Sequence, residues 1–249
     1  MKLRAGFTLL LIWILFSLSP VLANSSTSII KGASSADRTP EWYAMDWVVN
    51  SPYSPEFEVL DTESAFGRYA PMTKTITLKD LVKFHGHACD GLVQAAMALK
   101  LALDDLFPDG VIDRTDLRIL SKNGPCYMDV AAYLTGGRIN FGTLDVDNTL
   151  GDSWIVQRIS SGKAVKVSRR EGVFPDELAR LEKKVKSGKA TPEELTQTRD
   201  LAWDFAKQLL SKPPVNAFAL EEVKNFTFPK SVYDNVGSRS DIKHKNDPY

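Results

Sequence analysis

Residues 84–106 read FHGHACDGLVQAAMALKLALDDL, and the second half of this stretch decides the fold. From Gly91 onward, Leu92, Ala96, Leu99, Leu103 and Leu106 recur at alternating steps of four and three, the spacing of one helix face. Alanines fill the positions between them. A helix apolar on most of its circumference is predicted to lie deep in a domain rather than on its surface. Pro108-Asp109-Gly110 ends it. On the N-terminal side, residues 77–82 (TLKDLV) predict a short helix with Thr77 as its N-cap. Cys89 then falls at or just before the start of the long helix.

The downstream chain supplies what such a helix needs as cover. Residues 116–121 (DLRILS) alternate like a strand, and Asn123-Gly124-Pro125 turns the chain. Residues 128–134 predict a second buried helix, closed by Gly136-Gly137. Residues 138–147 alternate again, with Ile139, Phe141 and Leu144 apolar, and predict a strand. Residues 154–159 and 164–168 flank Ser161-Gly162-Lys163, a hairpin signal. Residues 175–186 carry Leu178, Leu181 and Val185 on one face. Thr191-Pro192-Glu193-Glu194 is a capping box with Pro at the first helical position, opening a helix to about residue 210. Residues 217–220 predict a last strand. The fold class is therefore α+β: a mixed sheet packed against a long buried helix, with an added αα-hairpin.

The N-terminus reads as an export signal. Lys2 and Arg4 precede the apolar run FTLLLIWILF at residues 7–16, and Val21-Leu22-Ala23 offers small residues at cleavage spacing. The run is shorter than the roughly 20 residues a membrane span needs. Residues 1–23 are thus expected to be removed, leaving 226 of the 249 residues in a periplasmic or secreted protein. The 31 basic residues fall to 29 against 31 acidic ones, a net of −2. That balance argues against a nucleic-acid partner and, once the signal is cleaved, against a polybasic membrane attachment. Residues 24–76 read as a leader and docking segment, with Trp42, Tyr43, Trp47 and Tyr53 expected on the core. Residues 229–249 read as a polar tail without periodicity, with His244 on the surface.

The chemistry is concentrated in His85-Gly86-His87-Ala88-Cys89. The chain has only three histidines and two cysteines, and this pentapeptide holds most of them. Cys126 follows the turn 37 residues later. Imidazole nitrogen and thiolate sulfur suit zinc and similar transition metals, commonly as four tetrahedral ligands. His85, His87, Cys89 and Cys126 make such a set. Asp129, one helical turn after Cys126, is placed to orient an imidazole from outside the ligand set. Two alternatives stand beside this. Cys89 at a helix N-terminus has the environment of a low-pKa nucleophilic or redox thiol. Two cysteines in an exported chain also suit a disulfide.

At these residues the chain resembles the FmdE-like family, named for formylmethanofuran dehydrogenase. The shared signature is Phe84-His85-Gly86-His87-Ala88-Cys89-Asp90-Gly91-Leu92, opening a long helix, followed by Cys126-Tyr127-Met128-Asp129 and Thr135-Gly136. The resemblance starts near Thr77 and reaches as far as Phe228, so residues 77–228 form the FmdE-like domain. It implies an α+β core with a His/Cys metal site. The chain departs from the family at Asp90 (usually Pro), Pro125 (usually Ser) and Gly137 (commonly Cys), and it lacks the cysteine-bearing C-terminal module of many members. The expectation is an exported protein that binds a transition metal, zinc first, with a metal-handling or redox-accessory role beside a redox or metalloenzyme partner protein. The alternatives are an enzyme in which Cys89 or a metal-bound water attacks a small substrate, and a disulfide-stapled interaction domain without metal.

Overall fold

In the computed structural model, residues 45–230 and 240–249 are described. The expected export signal at residues 1–23, the expected 24–38 leader, Trp42 and Tyr43 lie outside them. The elements run α1 (Asp46–Val49), β1 (Glu56–Leu60), β2 (Lys74–Thr77), α2 (Leu78–His85), α3 (Asp90–Leu106), β3 (Val111–Asp113), β4 (Leu117–Ser121), α4 (Pro125–Thr135), β5 (Leu144–Val146), β6 (Ser153–Arg158), β7 (Ala164–Arg169), α5 (Asp176–Lys186), α6 (Pro192–Leu210), α7 (Pro214–Ala217), β8 (Phe218–Glu222) and α8 (Ser240–Lys243).

The long helix α3 is the centre of the domain. Leu92, Val93, Ala95, Ala96, Met97, Ala98, Leu99, Ala102 and Leu103 are fully buried. A helix apolar all round must be covered all round, and α3 packs on β6, β7 and β8 and on α2, α4, α6 and α7. The strands β5-β4-β6-β7-β8 form one sheet, parallel between β4 and β5 and antiparallel elsewhere. Trp154 and Val156 of β6 and Val165 and Val167 of β7 are buried with α3 in the same core. The α+β class with a mixed sheet on a long buried helix is the architecture found.

Four features differ from the sequence reading. The 24–76 stretch carries β1 and β2, which join β3 in a second sheet of order β2-β1-β3. Within it Phe57 and Val59 are buried at alternate positions of the short segment EFEVL, too brief to stand out among charged neighbours. Trp47 packs against the core, but Tyr53 is exposed. Residues 138–147 are not one strand: Ile139–Phe141 form a 3-10 turn that ends at Gly142 in the left-handed region, and only Leu144–Val146 pair. The tail is not featureless either. It contains α8, and beyond it the Lys245 carbonyl accepts the Tyr69 N–H at 2.9 Å while Lys245 Nζ donates to Thr115 Oγ1. His244 is exposed and pairs with Asp247. Among the described residues no helix is long and apolar enough to cross a membrane.

The αα-hairpin is more than an appendage. Leu178 and Leu181 of α5 and Phe205, Ala206, Leu209 and Leu210 of α6 are buried, and α6 lies directly on α3. The Thr191 capping box forms as its sequence predicts, with Glu194 reaching back to the Thr191 N–H at 2.9 Å.

Candidate metal centre

Three helix ends converge on the His/Cys motif. The first, α2, starts at a capping box between Thr77 and Asp80 and finishes with His85. Gly86 follows at φ +98°, a left-handed conformation that costs glycine nothing and L-residues dearly. The chain reverses there, so His87 comes back beside His85 with ring centroids 4.4 Å apart. Cys89 is the N-cap of α3, and its Sγ accepts the Leu92 N–H at 3.4 Å. The third end is the start of α4, where Gly124 and Pro125 bring Cys126 into the first turn. A helix end, a loop and a helix start thus gather the pentapeptide's side chains.

The distances follow. Ligand atoms of His85, His87 and Cys89 all lie within 4.8 Å of one another. Cys126 Sγ is 3.3 Å from Cys89 Sγ, and both thiols are free. Asp129 Oδ2 is 2.8 Å from His85 Nδ1. Gly91 makes this approach possible: a Cβ there would stand 3.2 Å from both Cβ and Sγ of Cys126.

The thiols titrate as a pair. Hydrogen bonding from Cys89 brings Cys126 down to about 6 against the effect of burial, with the charge of His85 helping. Cys89 is pushed up by donating that bond, by burial and by the charge of Cys126, while the Leu92 N–H pulls the other way. A helix N-terminus acting alone would make Cys89 the acidic thiol. Here burial and the neighbouring Cys126 oppose that effect and hold Cys89 up. Burial and the adjacent His85 hold His87 below its usual value. Asp90 is pushed up to about 6 by burial and by Glu182.

The donor set fits a transition metal. The His85 side chain is only 3% exposed. Its Nδ1 meets a carboxylate, which can only accept, so in the neutral ring the proton sits on Nδ1 and Nε2 presents a lone pair. Nε2 is buried and has no hydrogen-bond partner. A buried polar atom without a partner is uncommon and calls for an explanation, and a metal ion is the one the neighbouring histidine and thiols supply. His85, His87 and Cys89 could hold it, with Cys126 Sγ next to Cys89 as a further thiol outside that group, and it would supply Lewis acidity or a structural clamp.

Several residues at the site carry no local signal in the sequence. Trp203 of α6 donates from Nε1 to the Ala88 carbonyl at 3.1 Å, pinning the motif's loop from 115 residues away. A cavity of about 620 Å³ adjoins the cluster, lined by His87, Cys89 and Cys126 together with Lys122, Asp152 and Arg169. Asp90 accepts the Gln94 amide, Gln94 accepts Arg169, and Asp152 accepts from Arg169, Lys122 and Tyr127. Only Asp90 of this network could be found by its place in the motif.

The family described as "FmdE, Molybdenum formylmethanofuran dehydrogenase operon" matches residues 84–219. The chain belongs to the FmdE family. The FmdE match opens at Phe84, the first residue of the motif, and encloses His85, His87, Cys89, Cys126, Asp129, Arg169 and Trp203. Among solved structures, the FmdE chain is similar to a tungsten formylmethanofuran dehydrogenase FmdE-like protein from Syntrophus aciditrophicus, at 19% identity, covering 59% of this chain and 69% of that one with a TM-score of 0.36. No curated protein matches it.

Proposed function

We propose that this FmdE-family protein binds one transition-metal ion, zinc being the first choice, through His85, His87, Cys89 and Cys126, with Asp129 orienting His85. It is an exported protein, periplasmic or secreted after loss of residues 1–23. Its role is metal handling or redox support of a partner metalloenzyme; the family's name refers to a dehydrogenase operon, which favours a partner of that kind. The observation that carries the reading is the buried, unpartnered Nε2 of His85 beside a second imidazole and two free thiols.

Elemental analysis of the purified mature protein, with thiols counted under non-reducing conditions, tests it. About one equivalent of metal is expected, lost in the His87→Ala/Cys89→Ala double variant. Protein that takes up no metal and has no free thiols would instead be the disulfide-stapled domain. N-terminal sequencing of the exported fraction checks cleavage after Ala23.

The cavity beside the cluster favours a second reading, an enzyme with one coordination position open to substrate. The cobalt-substituted protein divides the two. A spectrum that changes on adding azide supports the open position, and one that ignores azide supports a closed accessory site.

A further inference from the structure

The cavity next to the cluster has a polar end that metal binding does not use. Arg169 projects from the last position of β7 and its side chain is mostly buried. Its guanidinium lies 4.4 Å from the Phe174 ring centroid, gives NH1 to Gln94 Oε1 at 2.5 Å and gives NH2 to Asp152. These contacts fix the guanidinium plane. Among the described residues none accepts its remaining N–H groups. Lys122, on the loop after β4, donates to the same Asp152 and sits 4.5 Å from the Tyr127 ring centroid. Two cations therefore share one carboxylate, and each keeps donors that Asp152 does not use. The other acid–base pair lining the cavity, Glu182 and Lys186, neutralises itself at 2.5 Å. Asp90, the remaining acid of the lining, accepts from the neutral Gln94 amide, so the cavity as a whole is close to balanced in charge and its cationic end is set by Arg169 and Lys122.

A guanidinium held flat from behind, with free N–H groups, is the standard receptor for an oxyanion, because its fork matches two oxygens at once. A volume of about 620 Å³ falls within the range of pockets that hold small organic ligands. We propose that this cavity binds a small organic oxyanion, a carboxylate or a phosphate ester, anchored by Arg169 and Lys122 with its other end against His87, Cys89 and Cys126. The placement of that second end rests on the metal reading above; the anchoring of the oxyanion does not.

The test is calorimetric titration of the purified protein with malonate and, separately, with inorganic phosphate, in a low-salt buffer free of other oxyanions. One of the two probes is expected to bind at a single site, and the tighter one identifies the ligand's anionic group. Arg169→Gln and Lys122→Met should each weaken it by at least about tenfold, as loss of a charge-assisted hydrogen bond does. Arg199→Gln, at an exposed position on α6, should leave it unchanged. Arg169 also ties the polar network together, so its variant must melt cooperatively to count; Lys122, on a loop, carries the test if it does not. The proposal fails if neither probe binds, or if Lys122→Met binds as the wild type does. Metal content measured on the same samples separates the two readings. Anion binding without metal sinks the metal reading alone, and metal without anion binding sinks this one alone.

Discussion

The Trp203 indole N–H donates to the Ala88 carbonyl at 3.1 Å, joining helix α6 to the short loop between the two motif histidines and Cys89. Ala88 is buried, so no other donor readily replaces the indole. Trp203→Phe keeps most of the apolar contact and removes the hydrogen bond. The expected cost is about 1 kcal/mol of stability, together with weaker metal binding, since His87 and Cys89 flank Ala88. Thermal melts and chelator competition on the variant check both. Unchanged metal affinity would mean the loop holds its shape without α6.

Asp129 meets His85 Nδ1 at 2.8 Å while Nε2 is buried without a hydrogen-bond partner. A carboxylate in that position fixes the tautomer and strengthens the imidazole as a donor. Replacing such a partner typically lowers metal affinity roughly 10–100-fold. Asp129→Asn should fall in that range with little change in melting temperature, because Asp129 is partly exposed. Equal affinities of variant and wild type for the metal would remove Asp129 from the site.

Gly91 stands at the second position of α3 against Cys126. In Gly91→Ala the new methyl group would sit 3.2 Å from Cys126 Sγ, closer than an ordinary contact, so the start of α4 must yield. Alanine is the better helix former by up to about 1 kcal/mol in a helix interior and gains less in a first turn. Metal affinity is therefore expected to drop while thermal stability holds. A variant that loads metal normally would show that the α3–α4 approach tolerates more room than the contact suggests.

Much of this was legible in the sequence, for a physical reason. Helix α3 declares itself because it is apolar at both three- and four-residue spacing, and α6 because its capping box is local chemistry. The pairing of Cys89 with Cys126 is legible only as a list of like residues, since nothing in the turn at Gly124-Pro125 states what it faces. Strands β1 and β2 are short and partly charged, and pair only with each other and with β3, so their signal is long-range. Trp203, Lys122, Asp152 and Arg169 reach the site from α6, the loop after β4, the turn before β6 and the end of β7. Each reads as an ordinary surface or helix residue until the sheet order β4-β6-β7 brings three of them together.

Asp152 is the hub of that group, accepting from Lys122, Tyr127 and Arg169. Burial pushes its carboxyl up, but the Lys122 hydrogen bond and the charges of Arg169 and Lys122 outweigh burial and hold it below the ordinary carboxylate value. An acid depressed in the folded state adds stability that is complete above its unfolded value of about 3.9 and is lost as pH falls through the folded value. Asp152→Asn cannot ionise and leaves two cations without their counter-charge. The gap in melting temperature between wild type and Asp152→Asn should therefore be widest near neutral pH and narrow progressively below about pH 4. Melts of both proteins across that span check it, at low salt so that screening does not mask the ion pairs. A gap that stays constant into acid would mean Asp152 acts through packing and neutral hydrogen bonds, and that the charge shared among Lys122, Arg169 and Asp152 contributes nothing to the fold.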